Sequence, residues 1–182
     1  MSRVVRPSRR VLTLPGLHNS APEHWQTRWD ALHGFERVDQ ADWSTPTRKA
    51  WLSQLEAVLA REPEPVVLVA HSLGCALVAH AAKRMRAKIA AAFLVAPAAV
   101  DDPTRTPAAT RDFAPLPRTP LGFAACVVAS SNDPYAALPW AAELARLWQA
   151  RFVDAGALGH INAESGLGDW HEGYGWLTTL LT

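Results

Sequence analysis

The sequence predicts a single α/β domain of three layers, α/β/α, in which a mainly parallel sheet of about six strands carries helices on both faces. Three observations predict it. Short apolar runs without polar alternation recur along the chain, as expected for strands buried on both faces. Helical stretches stand between them, which calls for parallel pairing through crossovers. The 182 residues, 49% of them hydrophobic, suffice for one sizeable core and not for two ordinary domains.

Residues 1–10 hold Arg3, Arg6, Arg9 and Arg10 and read as a flexible basic tail, so the domain is expected over 11–182. Val11 to Leu14 is the first strand, stopped by Pro15-Gly16, with residues 15–20 as the loop at its end. Trp25, Trp29 and Leu32 recur at helical spacing and predict an amphipathic helix over about 22–32. A short second strand is expected over 35–39. The turn at 42–46 offers Ser44 or Thr45 as cap for a helix with Trp51, Leu52, Leu55, Val58 and Leu59 on one stripe. Residues 62–65, Glu-Pro-Glu-Pro, close it.

The run Val66-Val67-Leu68-Val69-Ala70-His71 then breaks into Ser72-Leu73-Gly74-Cys75 and continues as an Ala- and Leu-rich helix. A fourth strand is expected over 89–95. Residues 97–120 are rich in proline and polar residues and read as a long loop over the site, with at most one helical turn. A fifth strand follows over 123–130. Pro134-Tyr135 opens a helix with Leu138, Ala141, Leu144, Ala145 and Trp148, a sixth strand spans 151–153, 155–169 is a loop, and 174–181 forms the closing helix.

A formal net charge of +1, with 19% charged residues, argues against a nucleic-acid surface. The apolar run at 11–14 is too short for a signal-peptide core or a membrane span, so a soluble, cytoplasmic protein without a membrane partner is expected. The two cysteines, Cys75 and Cys126, lie in apolar surroundings and read as core residues rather than a disulfide framework.

The strand-serine-helix joint has the layout of a nucleophile elbow, in which a strained turn presents the serine above the carboxyl edge of the sheet and small residues at the flanking positions let strand and helix approach. Ala70 and Gly74 hold those positions; Gly is usual at the first. The competing reading makes Ser72 a helix N-cap. A serine hydroxyl is a weak nucleophile and needs a base, itself oriented by a third group. Asp133, after the fifth strand, and His160, after the sixth, supply acid and base; Asp101 or Asp102 is the rival acid. The chain order Ser, Asp, His is that of α/β-hydrolases.

The oxyanion of the tetrahedral intermediate calls for backbone N–H donors. Leu73, following the nucleophile, is one, and Leu17, after Gly16, the other, with His18 in reserve. His71 reads as structural or pocket-lining. His18 and His24 stand at no recognised ligand spacing, so neither a metal nor a cofactor is expected. Of the eight tryptophans, most are core, while Trp25, Trp43 and Trp170, with His18 and His71, are the candidate pocket lining.

These blocks resemble the small serine hydrolases of the YdeN and retinoblastoma-binding protein 9 family. The resemblance runs over nearly the whole chain: Leu14-Pro15-Gly16 with His24-Trp25, Asp42-Trp43 with Pro46 and Trp51, His71-Ser72-Leu73-Gly74, Ser130-Ser131-Asn132-Asp133-Pro134-Tyr135, and residues 159–166 with Trp170. It implies a compact α/β-hydrolase fold without a cap, with Ser72 as nucleophile, Asp133 as acid and His160 as base. The expected activity is that of a serine hydrolase, a carboxylesterase acting on a small-molecule ester through an acyl-enzyme on Ser72. The alternative is a protein-interaction or ligand-binding module that keeps the fold without catalysis. A nicotinamide-binding protein is disfavoured, because the loop after the first strand lacks G-x-G-x-x-G.

Overall fold

The computed structural model describes residues 9–181. Six parallel strands form one sheet in the order β2-β1-β3-β4-β5-β6, comprising β1 (Val11–Leu14), β2 (Glu36–Arg37), β3 (Val66–His71), β4 (Ile89–Val95), β5 (Ala124–Ala129) and β6 (Arg151–Asp154). The apolar runs became strands because both their faces are covered. Leu12, Leu14, Leu68, Ala70, Leu94 and Val127 face α2 (Arg48–Arg61), α3 (Leu73–Met85) and α4 (Leu138–Trp148). Their neighbours Val11, Val67, Val69, Phe93, Val95 and Val128 face α1 (Trp25–His33) and α5 (His171–Leu181). The period of two along each strand divides the core between two layers.

Pairing of Leu14 with Ala70 and of His71 with Val95 brings the carboxyl ends of β1, β3 and β4 to one edge. The winding direction reverses between β1 and β3, which is where open parallel sheets leave a crevice for a ligand. The loops after β1, β3, β5 and β6 all open on that edge.

Several element boundaries differ from the sequence reading. The helix expected to open at Pro134 starts at Leu138, because the Asp133 carboxylate accepts the Tyr135 N–H at 2.9 Å and holds residues 133–135 in a turn. The cap of α2 is Thr47, whose hydroxyl accepts from Ala50 N–H. Ser44 and Thr45 instead donate their N–H groups to Asp42. In α1, Trp25 and Trp29 are buried but Leu32 is 55% exposed; the last turn is anchored by His33, whose ring stacks on Tyr174 at 3.9 Å. The 97–120 loop holds a 3₁₀ turn over Ala108–Phe113. Of the basic tail expected over 1–10, residues 1–8 lie outside the described residues. Arg10 pairs with Glu36 and Glu62, and its carbonyl accepts from Val67 N–H. Among the described residues no helix is long and apolar enough to cross a membrane.

Candidate active site

Ser72 joins β3 to α3 with φ 55° and ψ −119°, a region that side-chain-bearing residues rarely adopt. Its hydroxyl makes no capping bond to the helix it precedes. The Oγ–H donates instead to His160 Nε2 at 2.8 Å. The backbone turn is strained, and the hydroxyl is directed at a histidine rather than at the helix it precedes.

Small residues make the turn possible. Ala70 is fully buried in the layer that holds α3, so the single methyl at this position is accommodated. A Cβ on Gly74 would fall 2.3 Å from the Leu14 carbonyl oxygen, and one on Gly16 3.0 Å from Ser72 Cβ. The loop after β1 therefore lies directly against the elbow.

His160 Nδ1–H donates to both Asp133 oxygens at 3.0 Å, and the Asp133 and His160 side chains are only 3% and 10% exposed. Asp101 and Asp102 are engaged elsewhere, by the Leu116 N–H and by Thr104 respectively. Two loops hold Asp133 and His160 together. The Ser130 hydroxyl accepts from Leu158 N–H at 2.9 Å, Asn132 Oδ1 accepts from Gly159 N–H at 2.7 Å, and the Ser165 hydroxyl donates to the Leu158 carbonyl at 2.6 Å. Ser130, Asn132 and Ser165 fall within the two loop motifs of the sequence without a catalytic signature; what marks them is the density of Ser and Asn in loops that follow strands.

His71 Nε2–H donates to the His160 carbonyl at 2.9 Å, and the two rings lie 4.9 Å apart. Behind it, His24 packs edge-on against His71 at 4.7 Å and accepts the Gln26 N–H on Nδ1. Burial, then Arg37 and His160, pull the His24 pKa down to about 3. Burial also holds His71 well below the usual imidazole value, with His24 and His160 adding to the effect. Both rings are thus held neutral at pH 7, and of the three imidazoles His160 is the one hydrogen-bonded to the serine.

The Ser72 hydroxyl opens on a cavity of about 530 Å³ lined by the β1 loop, including Leu17, His18 and Asn19, by His24, His71 and Leu73, and by Tyr135 and Glu164. Thr106, Pro107 and Thr110 complete the wall, so the long 97–120 loop borders the site as expected. The Leu17 and Leu73 N–H groups have no acceptor among the described residues, whereas the His18 N–H is taken by the Trp43 carbonyl at 2.9 Å. Of the two candidates after β1, Leu17 is the one whose N–H is free among the described residues.

The three tryptophans expected to line the pocket do not line it. Trp25 and Trp170, 1% and 5% exposed, belong to the core beneath it. Trp25 Nε1–H donates to the Ile161 carbonyl at 2.8 Å, supporting the loop that carries His160. Trp43 packs edge-on against Trp51 and acts through its carbonyl on the β1 loop. Among the described residues no group of three or more His, Cys, Asp and Glu side chains is placed to hold a metal ion.

Solved structures match this fold over nearly its whole length. A YdeN-like hydrolase from Pectobacterium atrosepticum is 30% identical with a TM-score of 0.82, covering 95% of this chain and 92% of its own. The YdeN protein of Bacillus subtilis is 20% identical with a TM-score of 0.74, covering 94% of this chain and 98% of its own. A thermophilic esterase from Thermogutta terrifontis shares the fold at 15% identity and a TM-score of 0.71, with 96% of this chain and 91% of its own covered. Among curated proteins no match was found. The family model described as Serine hydrolase matches residues 11–179, and with its YdeN-like relatives this chain belongs to that serine hydrolase family.

Proposed function

We propose that the protein is a carboxylesterase that cleaves small-molecule esters through an acyl-enzyme on Ser72. The observation that carries this reading is the unbroken hydrogen-bond relay from Ser72 through His160 to Asp133, at 2.8 and 3.0 Å, facing a cavity beside two unpartnered N–H groups. Ser72 Oγ attacks the ester carbonyl as His160 Nε2 takes its proton, and Asp133 holds the ring in the tautomer that can accept it. The negative charge that forms on the carbonyl oxygen is met by the Leu17 and Leu73 N–H groups, each contributing on the order of 3 kcal/mol. His160 then returns the proton to the departing alkoxide. Water, activated by the same imidazole, attacks the acyl-enzyme, restores Ser72 and releases the acid.

The esterase named among the structural neighbours supports this choice of bond, as does a cavity of a volume suited to a small ligand. The test is hydrolysis of p-nitrophenyl esters of graded acyl length. Wild type is expected to turn over the shorter members, and Ser72→Ala to lose about 10⁴- to 10⁶-fold in kcat. Undiminished turnover in a folded Ser72→Ala protein would reject the mechanism. Retention of the fold for binding alone would show as absence of turnover across the whole panel.

A further inference from the structure

Beside the Ser72 cavity lies a second depression of about 420 Å³, and the two share Tyr135, His160, Asn162 and Glu164 as walls. Its place follows from the chemistry. The imidazole that protonates the leaving oxygen must stand on the leaving-group side of the reacting carbon. Ser72, Leu17 and Leu73 line only the first cavity, and the second depression continues past His160 away from them, so it is where the alcohol half of an ester extends.

The charge of this surface is one-sided. The titratable side chains that line the two cavities are His18, His24, His71, Tyr135, His160 and Glu164, with no lysine or arginine. Burial holds His24 and His71 in the neutral form. The Glu164 carboxylate is exposed and has no ion pair or hydrogen-bond donor among the described residues. Its position is nonetheless fixed: it sits in a 3₁₀ turn capped by Asn162 and Ser165, with its own N–H held by Asn162 Oδ1 at 3.1 Å. Across the shared wall, the Tyr135 ring stands edge-on to His160 at 4.5 Å. Among the described residues, three guanidiniums touch lining residues without lining either cavity. Arg105 is on the Pro134 carbonyl at 3.4 Å and paired with Asp102, Arg37 is on Asn19 and the Ser20 carbonyl and paired with Asp30, and Arg111 is on Thr106. Of these only Arg105 touches a residue of the second depression.

An unpaired carboxylate and an aromatic ring in a depression whose lining includes no lysine or arginine form a setting for an ammonium group. We propose that the depression beside His160 is a leaving-group subsite for a cation, so that the preferred substrates are esters of amino or quaternary-ammonium alcohols, with Glu164 as the specificity-determining residue. This rests on the ester-hydrolase reading. An exposed ion pair and an exposed cation–π contact together amount to about a 3- to 30-fold preference, with the ion-pair part fading at high salt.

The test compares kcat/KM for butyrylcholine with that for its uncharged isostere 3,3-dimethylbutyl butyrate in wild type, Glu164→Gln, Glu164→Lys and Tyr135→Leu. The ratio within each protein cancels losses of folding, and its change between proteins cancels the intrinsic reactivity of the two esters. It is expected to fall about 2- to 5-fold in Glu164→Gln, about tenfold or more in Glu164→Lys, and to shrink for wild type in 1 M salt. A ratio that does not move in Glu164→Lys overturns the proposal. Binding of choline, followed by NMR, keeps the subsite separate from the reaction. If neither ester is turned over, the hydrolase reading has failed, while choline binding that wild type shows and Glu164→Lys lacks still supports the subsite. Choline that binds both alike, or neither, overturns it.

Discussion

The substitution Gly74→Ala tests the contact on which the site is built. A Cβ at position 74 would lie 2.3 Å from the Leu14 carbonyl oxygen, 3.0 Å from that of Pro15 and 3.1 Å from Leu14 C. An ordinary carbon–oxygen contact is about 3.3 Å, so the first turn of α3 and the end of β1 must separate by about 1 Å. All three obstructing atoms are backbone, and no side chain can rotate away. Alanine gains up to about 1 kcal/mol of helix propensity, against about 1–3 kcal/mol for overpacking. With the full propensity gain set against that cost, the net loss is up to about 2 kcal/mol, or up to roughly 8 °C in Tm for a domain of this size. The same shift moves the Leu17 and Leu73 amides relative to Ser72, and an error of about 1 Å in such a site lowers kcat about 10²-fold. Thermal unfolding and p-nitrophenyl butyrate turnover read the two effects. Gly175→Ala in α5, with nothing within 4 Å of its added Cβ, is the control and should stabilise by about 0.5–1 kcal/mol. A Gly74→Ala protein as stable and as active as wild type would refute the close packing of strand and helix.

Three further outcomes follow from the same structure. With the folded-state pKa of His24 near 3 and that of His71 also well below the ordinary 6.5, the unfolded chain binds more protons than the folded one between those values. Stability is therefore greatest above about pH 6.5 and falls as the pH drops, with a slope approaching 1.4 kcal/mol per unit for each ring; urea unfolding from pH 7.5 to 5 measures it, and a flat profile would contradict it. Trp25→Phe strands the buried Ile161 carbonyl and should lower stability by about 1–3 kcal/mol and reduce kcat by loosening the loop beside His160; a loss under 0.5 kcal/mol in denaturant titration would count against that support. Cys75 is fully buried, its Sγ bonded to the Val95 carbonyl, and its thiol pKa is pushed up by burial. It should resist a disulfide reagent in the native protein and react on unfolding, whereas rapid native labelling at Cys75 by mass spectrometry would be inconsistent with this packing.

The strands were legible because burial on both faces leaves an uninterrupted apolar run, as in β3 and β4, and because the residues at their carboxyl ends then fall on one edge. That is why the meeting of Ser72, Asp133 and His160 could be read from order and spacing alone. Other features depend on contacts that carry no periodic signal. β2 is only Glu36–Arg37, an edge strand too short to show a pattern. Gly173 reads locally as a helix breaker, yet α5 starts before it, because the Trp170 indole occupies the place of the missing side chain; a Cβ there would fall 2.3 Å from the ring. The tryptophans were misplaced for a related reason. One face of the sheet is covered by α1 and α5 alone, and Trp25, Trp29 and Trp170 fill that layer. The lacing of the 130–135 loop to the 158–165 loop through Ser130 and Asn132 needed both loops in view at once.

Labelling with a fluorophosphonate tests the central claim most directly, since it requires an activated serine and no knowledge of the substrate. Intact-mass analysis of wild type, Ser72→Ala and His160→Ala is the measurement. A single adduct on Ser72 in wild type, absent from Ser72→Ala and strongly slowed in His160→Ala, is the predicted result. A folded wild-type protein that takes no label, or one labelled equally well without His160, would contradict the assignment of Ser72 as a nucleophile activated by His160.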